Sequence, residues 1–282
     1  MDNTRYLGAE FVASGGFAKV YRAFDNWTRR WVAVKELSNS NPELLRRFAR
    51  ERDMLTLHVN NPFVVDIFDS NFSDPHPYLV LEYSDLGSLQ KYVVNRQDWR
   101  RVAAWLLDIA YGLTIIHERG DLVRDIKPSN LLRFRRPNGR DLVKIADFGL
   151  GQRSDHPWEM MTTSVFGTKG YIDPVALQNG SFLPASDIYA LGITIREFLT
   201  GCRSLWNAVP GSSEFQRIVW AMTDSRVENR PTARNLYERI GNALQAEKAL
   251  VANVQERKAE GVGWLLAGAA VIVGACVLAE GK

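Results

Sequence analysis

Residues 122–149 read LVRDIKPSNLLRFRRPNGRDLVKIADFG, and the chain's polar chemistry gathers in this stretch. Asp125 is followed closely by Lys127 and then by Asn130. Asp147 opens Asp147-Phe148-Gly149 after the alternating run Leu142-Val143-Lys144-Ile145, which predicts a short strand. An aspartate, a lysine and an asparagine crowded on one loop are poorly explained by packing. With the second aspartate they suit three tasks: placing a hydroxyl, neutralising a phosphate and ligating a divalent metal through oxygen.

Composition sets the outer limits. At 282 residues, 46% hydrophobic and 24% charged, the chain has the means to bury one large domain or two lobes. A net charge of +3 is too small to argue for nucleic acid. The densest basic cluster, Arg133, Arg135 and Arg136, predicts a solvated hairpin loop. Two cysteines, Cys202 and Cys276, argue against a disulfide framework and for a reducing compartment. The opening MDNTRYLGAEF holds no apolar run, so no secretory signal is expected.

Residues 262–279, VGWLLAGAAVIVGACVLA, carry no charge over eighteen positions. At ~1.5 Å per residue they reach roughly 27 Å, enough to predict a membrane-spanning helix. Trp264 suits one interface, and Arg257 with Lys258 marks the cytosolic side, so a single-pass protein anchored by its tail in the lipid bilayer is expected. Gly263, Ala267, Ala270 and Gly274 line small side chains along one helical face, which predicts weak homodimerisation.

Between Tyr6 and Tyr83 the pattern is short strands with one helix. Phe11 to Tyr21 reads as strand, Gly-rich turn and strand, and Trp31-Val32-Ala33-Val34-Lys35 as an alternating strand with Lys35 on the face of Ala33. Pro42 to Leu55 predicts a helix with Leu44, Phe48 and Leu55 on one side. Asp53 lies about 200° around that helix from Glu51. Ser84 to Leu89 is a polar hinge, after which the chain turns helical. Trp99 to Arg119 spaces its apolar residues as a core helix, and its His117 reads as structural.

These residues together resemble the eukaryotic-type (Hanks-type) serine/threonine protein kinase family, whose catalytic loop is H-R-D-x-x-x-x-N and whose metal loop is D-F-G. The resemblance implies an α+β fold of two lobes. The small one, residues 1–83, is mostly β with one key helix; the large one, residues 84–240, is mostly α. A juxtamembrane helix at 241–261 and the transmembrane helix at 262–279 would follow. By resemblance Asp125 accepts and orients a substrate hydroxyl and Lys127 stabilises the moving phosphoryl group. Asn130 and Asp147 hold Mg²⁺ or Mn²⁺, and Lys35 paired with Glu51 positions ATP. Ala13, Gly15 and Val20 occupy the phosphate-covering loop, Ala33, Leu81 and Leu132 line the nucleotide pocket, and Glu82 and Ser84 offer backbone groups to adenine. Arg124 answers a phosphorylated activation segment containing Thr162, Thr163 and Ser164. Thr168 sits beside Asp125 and Lys127 and favours Ser/Thr protein substrates. Asp187 braces the catalytic loop.

Four of the chain's departures from the family's pattern bear on activity, and Tyr189 stands for the tryptophan of D-x-W-x-x-G besides. Ala13 and Ala18 replace two glycines of G-x-G-x-x-G, which loosens the backbone's approach to phosphate. Val123 replaces the histidine of H-R-D, a packing position that loses no proton-transfer group. Val175 replaces the glutamate of A-P-E, so its usual partner, here Arg230, needs another. These departures support the alternative of a membrane-tethered pseudokinase or nucleotide-binding scaffold. The intact phosphate, metal and hydroxyl residues support the enzyme.

Overall fold

Along Arg30–Leu37 (β3), Val32 and Val34 are fully buried while Ala33 and Lys35 on the opposite face are half-buried. That alternation is what a strand with one core-facing side requires. β3 lies in a five-stranded antiparallel sheet with Tyr6–Ser14 (β1), Ala18–Asp25 (β2), Ile67–Asn71 (β4) and Tyr78–Glu82 (β5), in the order β1-β2-β3-β5-β4. Its inner face buries Tyr6, Ala23, Val32, Val34, Tyr78 and Val80, with Phe68 packed against them. The structure is a computed structural model, and it describes residues 4–15, 17–39, 41–73, 75–93, 96–136, 139–154, 167–250 and 252.

The helix Pro42–Leu57 (α1) starts where Asn41 accepts a hydrogen bond from Leu44 N at 2.9 Å and Pro42 takes the first helical position. It buries Phe48, Glu51, Met54 and Leu55, whereas Leu44 is only half-buried. Each fully buried apolar side chain of this kind contributes about 1.5–3 kcal/mol. Beyond α1 the chain meets the strand that leads to Asp147: Ile145 N donates to Phe63 O at 2.8 Å and Val65 N to Ile145 O at 3.0 Å.

Helices build the large lobe. Trp99–Glu118 (α2) buries Val102, Trp105, Leu106, Ile109, Leu113 and Ile116, the residues its periodicity marks. Pro184–Thr200 (α4) is buried along most of its length, and Trp105 meets its Phe198 edge-on at 5.5 Å between ring centres. Ser213–Met222 (α5) packs so closely on α4 that a Cβ at Gly192 would lie 2.7 Å from Thr223 Cγ2 and 2.9 Å from Met222 Cβ. Leu131–Arg135 (β6) and Asp141–Ile145 (β7) form the hairpin, and Pro174–Asn179 (α3) follows the activation segment.

Arg133 corrects the solvated-loop reading. It is 5% exposed, with its guanidinium 4.5 Å from the Tyr92 ring centre and ion-paired to Asp141. Its position on β6 points it inward, where ring and carboxylate replace water. Arg135, at 71% side-chain exposure, keeps the solvated character expected of all three.

The chain divides into two units, residues 1–240 and 241–282. In the second, residues 241–250 are helical, and the expected membrane span at 262–279 lies outside the described residues. Among the described residues no helix is long and apolar enough to cross a membrane.

Candidate active site

The catalytic loop hangs from one carboxylate. Asp187, in the first turn of α4, is 2% exposed and accepts from Val123 N at 2.9 Å and Arg124 N at 2.8 Å. His117 Nε2 sits 3.0 Å from the same carboxylate, so the histidine read as structural holds this brace from α2. Val123 packs with no exposure where the resemblance has a histidine. Arg124 and Asp147 both adopt positive φ, 66° and 63°, which ordinary side chains occupy at a cost of about 1–2 kcal/mol. The hydrogen bonds around them offset that strain.

Within the loop the polar side chains converge. Lys127 Nζ lies 2.7 Å from Asp125 Oδ2 and 2.6 Å from Thr168 Oγ1. The Thr168 hydroxyl donates to Asp125 Oδ1 at 2.8 Å, and Asn130 Nδ2 donates to Asp125 O at 2.9 Å and to its Oδ2 at 3.1 Å. Strand register sets the distance to the second aspartate. Leu131 faces Ile145 across the hairpin and Ala146 N donates to Asn130 O at 2.8 Å, so Asn130 and Asp147 flank the same hairpin end. Three charged groups meet above it, with Lys35 Nζ 2.6 and 2.7 Å from the Glu51 oxygens and 3.6 Å from Asp147 Oδ1. Asp53 is elsewhere, paired with Arg52.

Charge states follow from this packing. Burial alone would lower the Lys35 ammonium, but Asp147 and Glu51 outweigh it and hold its pKa above the usual lysine value. Burial, with Asp147 adding to it, pushes Glu51 up to about 7 against the opposing pull of Lys35. Burial also works against the Asp147 carboxylate, yet Lys35, Gly149 N–H and Lys127 together keep its pKa below the usual carboxylate value. The site therefore presents a cationic lysine and an ionised aspartate whose side chain is 33% exposed.

Register also collects the expected nucleotide-facing residues. Ala13 pairs with Val20, Val20 with Lys35, and Ala33 with Leu81, so all five share the outer face of the sheet. Leu132 is half-buried on β6, bridged to Ser88. Gly15 N donates to Ala18 O at 2.8 Å, and a Cβ at Gly15 would meet nothing closer than that oxygen at 3.8 Å. At the hinge, Glu82 N already donates to Asp66 O at 2.9 Å, which leaves its carbonyl as the backbone group it has to offer. Ser84 turns its hydroxyl to Arg133 O. Thr162, Thr163 and Ser164 lie outside the described residues. Arg124 is inside them, stacked 4.4 Å from the Phe182 ring centre, with its buried Nε unpaired among the described residues.

The family whose description is protein kinase domain matches residues 6–242. The chain belongs to the protein kinase family. The matched domain is a protein kinase domain, a family that uses ATP and Mg²⁺. Among similar kinases, the serine/threonine-protein kinase PknL of Mycobacterium tuberculosis is 32% identical over 204 residues, 71% of this chain and 50% of that protein. L-type lectin-domain containing receptor kinase V.9 of Arabidopsis thaliana is 30% identical over 224 residues, 77% of this chain and 33% of the receptor. MAP3K epsilon protein kinase 1, also from Arabidopsis thaliana, is 31% identical over 206 residues, 71% of this chain and 14% of that protein. The chain thus spans half or less of the length of these relatives.

Two kinase-site contacts escaped the sequence reading. Lys144 Nζ, in the strand leading to Asp147, reaches Glu82 Oε2 at 2.6 Å and Asp66 Oδ2 at 3.5 Å, tying the hinge to the metal-loop strand. Arg230 finds its missing partner in Asp173, at 2.7 and 3.0 Å. The signal was present in the sequence: an aspartate before Pro174 is a helix N-cap, and it stands two residues from the vacant glutamate position.

Proposed function

We propose that this protein transfers the γ-phosphoryl group of ATP to serine or threonine hydroxyls of proteins, from a domain tethered to a membrane by residues 262–279. The observation that carries the reading is the convergence of Asp125, Lys127, Asn130 and Thr168 at one end of the hairpin that ends in Asp147, with Lys35 and Glu51 above it. Asp125 is in place to accept a hydroxyl proton, and Lys127 supplies positive charge beside the same spot. Lys35, held by Glu51, is in place to hold phosphate oxygens. When bound, the divalent ion would neutralise charge between the phosphates. One carboxylate and one amide oxygen, Asp147 and Asn130, suit a hard cation that takes its other ligands from water and substrate. Positioning and charge neutralisation account for most of the acceleration in this chemistry.

Regulation extends the same proposal. Arg124, whose buried Nε is unpaired among the described residues and which stands next to Asp125, is the counter-charge for a phosphate at Thr162, Thr163 or Ser164. The membrane tether and a dimer along Gly263, Ala267, Ala270 and Gly274 rest on sequence pattern alone. The test is transfer of radiolabelled phosphate to the full chain itself and to dephosphorylated casein, followed by mass spectrometry. Mg²⁺-dependent incorporation that Lys35→Met and Asp147→Asn abolish, with phosphate in residues 162–164, is the expected result. Equal incorporation by both variants overturns the reading. Full-length protein that stays soluble without detergent removes the tether, and crosslinking unaffected by Ala270→Leu/Gly274→Leu removes the dimer.

A further inference from the structure

We infer that Asp173 is a positioning residue for the protein substrate, holding the segment from Thr168 to Asp173 in register with the catalytic loop through Arg230 and Ser186. The inference rests on the protein-kinase reading above and adds to it a residue that the family pattern does not supply. Val175 leaves no carboxylate at the position where the resemblance expects one.

Four hydrogen bonds converge on the Asp173 carboxylate. Oδ1 accepts from Val175 N at 3.0 Å and Arg230 Nη2 at 3.0 Å, and Oδ2 accepts from Arg230 Nη1 at 2.7 Å and Ser186 Oγ at 3.0 Å. Arg230 also donates to Asp224 O at 2.9 Å and Ala185 O at 3.2 Å. Its side chain has no exposure, and that of Asp173 has 1%. A bidentate, fully buried pair of this kind fixes geometry as well as charge.

What it fixes is set by its neighbours. Ser186 bonds Asp173, while the next residue, Asp187, bonds the backbone of Val123 and Arg124. The substrate segment and the catalytic loop are therefore both referenced to the first turn of α4. At the segment's other end Thr168 is bonded to Asp125 and Lys127, and Tyr171 in between donates its hydroxyl to Glu197. Beside Asp125, a concavity lined by Arg124, Ile126, Thr168, Tyr171, Ile172 and Asp173 opens against this segment. Loosening Asp173 shifts one wall of that concavity relative to Asp125. None of the bonds of Asp173 reaches Lys35, Glu51 or Asp147.

The test compares steady-state kinetics of full-length wild type, Asp173→Ala, Asp173→Ala/Val175→Glu and Asp173→Asn/Arg230→Met, with casein and ATP varied separately. The last variant removes both buried charges and keeps an N-cap residue, so it is the less destabilised of the two and carries the test if Asp173→Ala, with its lone buried arginine, melts too low to assay. The expected result is kcat/KM for casein down about tenfold or more in Asp173→Ala and in the double neutral variant, with KM for ATP within about twofold of wild type. Glutamate at 175 restores most of the loss, because it returns the carboxylate that the resemblance pairs with the arginine at 230. Unchanged casein kinetics in the double neutral variant, a parallel rise in KM for ATP, or no rescue by Val175→Glu overturns the inference. A wild-type chain that phosphorylates itself but no added protein overturns the protein-substrate reading first, and this inference with it.

Discussion

The two sides of the active-site cleft are built to different standards. On the catalytic side Asp125, Lys127, Asn130 and Thr168 share at least five hydrogen bonds within 3.1 Å, and Asp187 holds the backbone beneath them. On the nucleotide side the loop between β1 and β2 is closed by the bond from Gly15 N to Ala18 O, and Phe11, Val12, Ala13 and Ser14 leading into it are exposed. The chain's departures follow that division in part. Ala13 falls in the exposed run, whereas Ala18 at the start of β2 and Val123 sit in packed positions. Geometry that decides proton and phosphoryl positions is over-determined, and geometry that only covers a ligand is not.

Breaking the brace on the well-determined side has the largest expected effect. Asp187→Ala leaves two buried N–H groups and His117 without their acceptor, at about 1–3 kcal/mol for each buried group. We expect kcat to fall by roughly a hundredfold or more while KM for ATP changes little, because Lys35 and Glu51 do not touch this brace. Steady-state kinetics with a thermal melt checks this, and a variant with wild-type kcat would show that the loop keeps its geometry unaided.

A pH measurement separates structural from catalytic charge on that same side. Asp108, half-buried beneath the hairpin, accepts from Val143 N at 3.0 Å and lies 3.4 Å from Arg136. Burial pushes its carboxyl up to about 6 despite these two opposing contacts. A folded-state pKa raised above the ordinary value favours the protonated form. Its stabilising contribution is therefore full below the unfolded-state pKa of about 4 and is lost as pH rises through about 6. Asp108→Asn should melt higher than wild type at pH 7 and lose that advantage by pH 4, the difference amounting to at most about 3 kcal/mol. Equal melting curves across that range would contradict the assigned burial.

How much of this was legible in the sequence follows from how local each contact is. Lys35 and Glu51 were legible because the resemblance pairs a strand lysine with a helix glutamate at these positions, and helix geometry set Asp53 about 200° away from Glu51. Asp125, Lys127, Asn130 and Asp147 sit in short fixed contexts, with only a hairpin between Asn130 and Asp147. Arg133 was misread because a run of arginines carries no mark of which one faces inward; that depends on Tyr92 and Asp141. The Asp173 partner of Arg230 was missed because the expected position held valine, and only the folded chain brings residues 57 apart into contact. Lys144 reaches Glu82 across 62 residues for the same reason.

The smallest effect belongs to the loosely built side. Ala13→Gly with Ala18→Gly should lower KM for ATP about two- to fivefold by letting backbone N–H groups approach phosphate more closely. Ala18 is 3% exposed, so the double variant also loses some stability at the start of β2. An unchanged or higher KM would mean that the two alanines already allow the closest approach this loop makes.

In the proposed reaction Asp125 acts on the substrate hydroxyl and not on the nucleotide. The measurement that tests it most directly is ATP binding and phosphate transfer to casein by full-length Asp125→Asn. The amide keeps an oxygen facing Thr168 and Lys127 but does not accept a proton. Transfer should fall by about a thousandfold or more while ATP binds with its wild-type affinity and the melting temperature holds. Transfer within a few fold of wild type, with ATP bound, would contradict the claim.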